Sequence, residues 1–229
     1  MTTTGGLVAG LVPVAVLGVV LGVLIYFGPD APVAKAVSEG GTGAPPPSRI
    51  QLGVVALFFL LSVGVEVGIG GWVFSFAKDA GADAALVTTG FWSAFTLCRL
   101  IVVLIGHRAT PARILYTSGG VAALGGVLLV MADRNTSLLL CGVTMIGAGI
   151  APQFPTLLLF AERRIEASGS SMSVILAAAG VGGAGLPWLM GQIIELQGTD
   201  ILPWLGLVGA VGTLAWMFVV AVVLPPPVR

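Results

Sequence analysis

Charge is what this chain has least of. Only 9% of its 229 residues are Asp, Glu, Lys or Arg, and it holds one His, two Cys and two Tyr. So few charges cannot cover a water-facing surface, which excludes an ordinary soluble domain. Acids and bases cancel at ten each, leaving no positive excess for a nucleic acid or a polyanionic partner. Cys98 and Cys141 both fall in apolar runs, where a thiol packs as a small hydrophobe, and neither a disulfide nor a metal spacing follows. There is no Ser/His/Asp trio at membrane depth, no pair of carboxylates within one helix, and no Gly-Lys-Ser/Thr phosphate loop. The chain therefore reads as a non-enzyme with no cofactor or metal.

What is present in quantity is apolar length. Mean hydropathy is +1.07. The runs Gly6–Phe27, Leu52–Phe76, Ala85–Gly106, Ile114–Ala132, Ser137–Phe160, Ser168–Ile194 and Ile201–Leu224 each approach or exceed the ~20 residues needed to cross a bilayer. Strands of a membrane barrel would alternate polar and apolar residues, and these runs do not. The expectation is an all-α membrane protein with seven transmembrane helices. The first run lacks a basic leader and is longer than a signal-peptide core, so it reads as a retained helix.

Basic residues sort by side. Lys35, Arg49, Arg108, Arg113, Arg163, Arg164 and Arg229 flank one set of helix ends, and only Lys78 and Arg134 flank the other. By the positive-inside rule the C-terminus is cytoplasmic and the N-terminus, seven crossings away, is outside. The expected setting is the plasma membrane. Residues 1–28 form a leading helix, and the Gly/Pro-rich stretch 29–51 is a cytoplasmic linker. Residues 52–229 form a six-helix group whose short loops make consecutive helices antiparallel neighbours.

That group divides into two triplets of opposite direction. The first opens with "SVGVEVGIGGW", where Gly64, Gly68, Gly70 and Gly71 surround Glu66. The second opens with "GAGIAPQFP", where Pro152 and Pro155 flank Gln153. Both leading helices are expected to be interrupted near their middle, which in inverted repeats points to a transporter's binding site. The simpler reading of the glycines is close helix packing.

Glu66 is costly at membrane depth, by about 2.5–3.5 kcal/mol on insertion scales, so its carboxyl must be protonated, paired or facing a wet cavity. There it can bind a coupling proton or Na⁺, or a solute hydroxyl. Arg99 is the second intramembrane charge, on one helix face with Trp92, Phe95 and Thr96. On helical rise, Glu66 lies deeper than Arg99 by about 10 Å, so a direct ion pair needs long side chains or a helix shift. Arg99 reads either as a gating or structural anchor or as a substrate contact. Trp72, Trp92 and Gln153 suit a sugar, aromatic faces covering its apolar side and an amide meeting its hydroxyls. For each Trp, packing or an interfacial belt is the competing role.

Four segments in order resemble a known family. "VGVEVGIGGWVFSFA", "FWSAFTLCR", "QFPTLLLFAE" and "GSSMSVILAAAGVGGAGLPWLMG" are similar to helices seven, eight, ten and eleven of major facilitator superfamily transporters, in the fucose-permease and sodium-dependent glucose transporter-like branch. The matching positions are Gly64, Glu66, Gly71 and Trp72; Phe91, Trp92, Phe95 and Arg99; Phe154 and Pro155; and Gly182, Gly183, Pro187 and Gly191. The resemblance runs from Leu52 to Leu224. It implies that helices seven and ten line a central cavity and that the C-terminus is cytoplasmic. It also implies a C-terminal half of a carrier for a small polar solute, a sugar, coupled to H⁺ or Na⁺.

The family has twelve helices, so the leading helix here stands for helix six, and a separate N-terminal half or a homodimer is the expected partner. The loop "GHRATPARIL" holds the place of the family's Gly/Asp/Arg-rich loop without its acidic residue. The alternative is a truncated or mis-started fragment without transport activity, a membrane scaffold or remnant.

Overall fold

A computed structural model describes residues 46–133, 135–165 and 169–226. The leading run and nearly all of the linker lie outside the described residues. Among those described, every regular element is a helix.

Helix α1 (Arg49–Asp79) starts at a capping box: the Ser48 hydroxyl accepts from the Gln51 amide, and the Gln51 side chain accepts from the Ser48 amide. This polar cap satisfies two of the orphaned N–H groups. It begins the helix three residues before the apolar run does. Asp83 caps α2 (Ala84–Ile105), which ends in the 3₁₀ turn Gly106–Arg108. Thr110 caps α3 (Pro111–Met131), whose first residue needs no helical donor. Asn135 caps α4 (Thr136–Ile150), and α5 (Gln153–Glu162) continues the same crossing after a break. α6 (Gly169–Gln197), a short 3₁₀ turn and α7 (Leu202–Val223) complete the bundle. Six stretches are long and apolar enough to cross a membrane, with α4 and α5 counted as one.

The pairing of helices carries the two-triplet symmetry. In the first triplet (α1, α2, α3) and the second (α4–α5, α6, α7), each leading helix packs on the middle and last helices of the other: α1 on α6 and α7, α4 on α2 and α3. The two last helices, α3 and α7, pack on each other.

The expected interruption of α1 does not occur. Glycine weakens a helix by only about 1 kcal/mol and keeps its N–H, so the ladder survives. What Gly64 and Gly68 do is admit α6, while Gly70 makes room for Trp92 of α2. A side-chain carbon at Gly182 would collide with the Leu60 carbonyl, and one at Gly64 would lie 2.8 Å from the Gly182 oxygen and overlap Leu186. Close packing is thus the role of these glycines.

Two apolar clusters fill the interior. One, around Val65, Ile69, Phe91, Val143 and Ile146, occupies the α1 C-terminal half; the other, around Phe58, Phe59, Leu157 and Met217, the opposite half. Between them lies a buried polar layer with one member on most helices: Ser62, Ser118, Gln153 and Thr213. Among the described residues no buried side-chain N or O atom lacks a hydrogen-bond partner, as burial requires.

Candidate solute and ion site

The break between α4 and α5 organises the site. Pro152 and Pro155 carry no N–H, so the carbonyls of Ala148 and Ala151 lose their helical donors. Ala151 and Pro152 form the turn between the two helices. The Arg99 Nε, from α2, donates to the Ala151 carbonyl at 3.2 Å. This is the group freed by Pro155, four residues on.

The same guanidinium reaches α1. Arg99 Nη2 stands 3.8 Å from Glu66 Oε2. The ion pair that the helical rise made marginal therefore forms, since both side chains extend toward each other. It joins both leading helices through α2. The Phe95 ring lies under the guanidinium, 4.4 Å from its carbon to the ring centroid, which fixes the side chain from a third direction. Glu66 keeps 17% of its side chain accessible and Arg99 40%, so the pair is neither sealed in the core nor fully on the surface.

Gln153 is only 2% exposed. Its Oε1 accepts from the Ser62 hydroxyl at 3.2 Å and its Nε2 donates to the Gly149 carbonyl at 3.3 Å. Instead of offering both ends of its amide to a solute, it ties α5 to α1 across the polar layer. Trp72 is similarly engaged. Its indole N–H donates to the Pro187 carbonyl at 3.0 Å, and its ring lies against Gly191, where any side chain would intrude. These two residues brace the helices around the ion pair.

Trp92 stands differently. It is 40% exposed, with its ring edge-on to Phe91 at 5.0 Å and beside Phe95 at 5.5 Å. With Thr88, Thr89, Ser93, Thr96 and Leu97 it lines a hollow of about 570 Å³. An aromatic surface set among four hydroxyl groups can receive a polyhydroxylated solute: the ring covers C–H groups, and the hydroxyls both donate and accept. Only Thr96 of those hydroxyl residues was picked out from the sequence. The spacing 88, 89, 92, 93, 96 along one helical face is the signal that would have found the others. Ser62 and Thr213, each a lone hydroxyl near the middle of an apolar run, carry the same kind of signal for the buried polar layer; Ser118, beside Thr117 near the start of its run, carries none.

Glu66, Trp72 and Gln153 do not line that hollow. Nor do they line a second one, of about 620 Å³, at the end of the bundle where α2 turns into α3. Arg99 does line the second. Among the described residues no cluster of three or more His, Cys, Asp or Glu could hold a metal ion.

The chain is 30% identical to the sodium-dependent glucose transporter 1 of Homo sapiens over 139 residues, 59% of this chain and 27% of the transporter. It is 26% identical to major facilitator superfamily domain-containing protein 4B of Danio rerio over 187 residues, 75% of this chain and 34% of that protein. With the domain-containing protein 4A of Xenopus tropicalis it shares 24% over 149 residues, 63% of this chain and 30% of that one. The chain thus spans about a third or less of the length of these curated relatives. No family model matches it. The six apolar helices among the described residues and these relatives make it an integral, multi-pass membrane protein. The helix order, the paired triplets and the relatives together bear out its likeness to the C-terminal half of a major facilitator superfamily transporter.

Proposed function

We propose that the chain supplies the C-terminal half-bundle of a secondary transporter for a small polar solute, a sugar, driven by H⁺ or Na⁺. The observation that carries this reading is the Glu66–Arg99 pair, held on the carbonyl freed at the α4–α5 break. A partly accessible carboxylate beside a broken span is where an ion or proton can compete with an internal partner. In the proposed cycle the coupling cation takes Arg99's place on Glu66. The released guanidinium then no longer holds the break in one geometry. Trp92 and its hydroxyl neighbours receive the solute, while Gln153 and Trp72 keep α5 and α6 in register with α1.

Such a cavity forms between two halves, so in this reading transport needs an N-terminal half, or a second copy of this one, to complete it. The proposed orientation, from the basic residues, puts the C-terminus in the cytoplasm of a plasma-membrane protein. The shortness of the chain beside its relatives favours one other reading, a fragment without transport of its own.

The test is uptake of radiolabelled hexose into proteoliposomes, by the chain alone and with a candidate partner half, across pH and Na⁺ gradients. Gradient-driven uptake by the pair that falls at least tenfold in Glu66→Gln is the expected result. Uptake indifferent to both gradients, or unaltered in Glu66→Gln, would refute the coupling role. No uptake under any pairing would leave the fragment reading standing.

A further inference from the structure

The second hollow is not needed for the cycle above, and its chemistry is of another kind. Four arginines converge on it from four places: Arg99 from α2, Arg108 from the 3₁₀ turn, Arg113 from the first turn of α3 and Arg163 from the end of α5. Among the described residues no carboxylate lines it. Among the described residues, Arg108, Arg113 and Arg163 have no carboxylate partner at all.

The placement of Arg113 is itself unfavourable. It sits at the positive end of a 21-residue helix whose first residue, Pro111, also faces the hollow. Like charges gathered around about 620 Å³ repel one another unless an anion joins them. Apart from Thr110 and Thr156 the remaining wall is apolar, and it is open: Val103 is 73% and Leu159 42% exposed. An anion carrying a hydrocarbon tail matches both parts, as a free inorganic anion does not.

We propose that this wedge between α2 and α5 binds the phosphate group of an anionic phospholipid, the acyl chains running out past Val103 and Leu159. The arginines supply bidentate donors for the phosphate oxygens. Basic pockets between membrane helices are built for such headgroups. Because Arg99 belongs both to this wedge and to the pair with Glu66, a bound lipid phosphate competes with Glu66 for the same guanidinium. The lipid site does not depend on the transport reading, because it is tested by binding alone.

The experiment uses the full chain in nanodiscs of phosphatidylcholine, with or without phosphatidylglycerol. Native mass spectrometry counts the lipids retained, and thermal unfolding reports the stabilisation. The expected result is selective retention of phosphatidylglycerol and a raised midpoint. Arg108→Gln/Arg113→Gln should weaken retention about 25-fold, at about fivefold per arginine. Val103→Trp keeps every charge but narrows the wedge, and it too should weaken retention. Each variant is first required to melt like the parent in pure phosphatidylcholine; if the double variant does not, Arg163→Gln replaces it, and if Val103→Trp does not, Leu159→Trp replaces it.

Retention unchanged in the double variant would overturn the site. So would retention lost in the double variant but intact in Val103→Trp, which would reduce the effect to surface charge. Inorganic phosphate stabilising the chain in pure phosphatidylcholine as well as phosphatidylglycerol does would overturn the lipid assignment.

Discussion

Helix α1 and the α4–α5 crossing lead the two triplets, and both are rich in residues that disfavour helices. They fold differently. α1 runs unbroken through Gly64, Gly68, Gly70 and Gly71, whereas the other crossing breaks at Pro152. A glycine removes a side chain and keeps its donor; a proline removes the donor. The first loss brings two backbones together, and the second exposes a carbonyl to a partner elsewhere. A third case sharpens this. α6 contains Pro187 and stays continuous, so one proline does not break a helix packed closely along its neighbour. The α4–α5 break has two prolines three residues apart and a cation waiting on the freed carbonyl.

The comparison can be broken at its strongest point first. Gly182→Leu should separate α1 from α6, because the new side chain meets the Leu60 carbonyl. A loss of about 3 kcal/mol is expected for such backbone overpacking, read as a lowered unfolding midpoint and a broadened size-exclusion peak. Gly180→Leu, in the same helix but facing open space, should change the midpoint little. Equal damage from the two would mean that the glycines act through helix propensity and not through contact.

The next effect belongs to the break. Arg99→Met removes the donor to Ala151 and the partner of Glu66 together. Leaving such groups unpaired costs about 1–3 kcal/mol, with the lower part of that range fitting a pair this accessible. Thermal unfolding in detergent measures it. A midpoint equal to the parent's would mean that water already serves both groups.

The smallest effect runs the other way. Pro155→Ala returns an N–H to the Ala151 carbonyl and should stabilise the crossing by about 0.5–1.5 kcal/mol, the worth of one hydrogen bond. Amide exchange across residues 151–157 should slow, and Arg99 should be held less firmly. Faster exchange there would show that the break does not arise from the missing donor.

Much of this was legible in advance. Run length and hydropathy located every described crossing to within a few residues, because a bilayer demands about 20 apolar residues whatever the fold. The prolines around Gln153 announced the break, since a missing donor is a property of the residue itself. The α1 interruption was misjudged because a glycine-rich stretch reads the same whether the backbone bends or a neighbour comes close. Glu66 and Arg99 were singled out by their cost, but their meeting was not, because rise along two separate helices says little about how far two long side chains reach across.

The amino-acid order alone thus determined that this is a bundle of membrane helices, where they begin and end, and that a donor is missing at Pro152 and Pro155. Each of those follows from local chemistry: apolar length, cap residues, an absent N–H. Only the tertiary structure decided who uses the freed carbonyl, why the glycines are there, and that Gln153 and Trp72 are spent holding helices together while Trp92 stays open. Those outcomes depend on which backbones lie side by side, and close approach between distant segments is not written in any one of them.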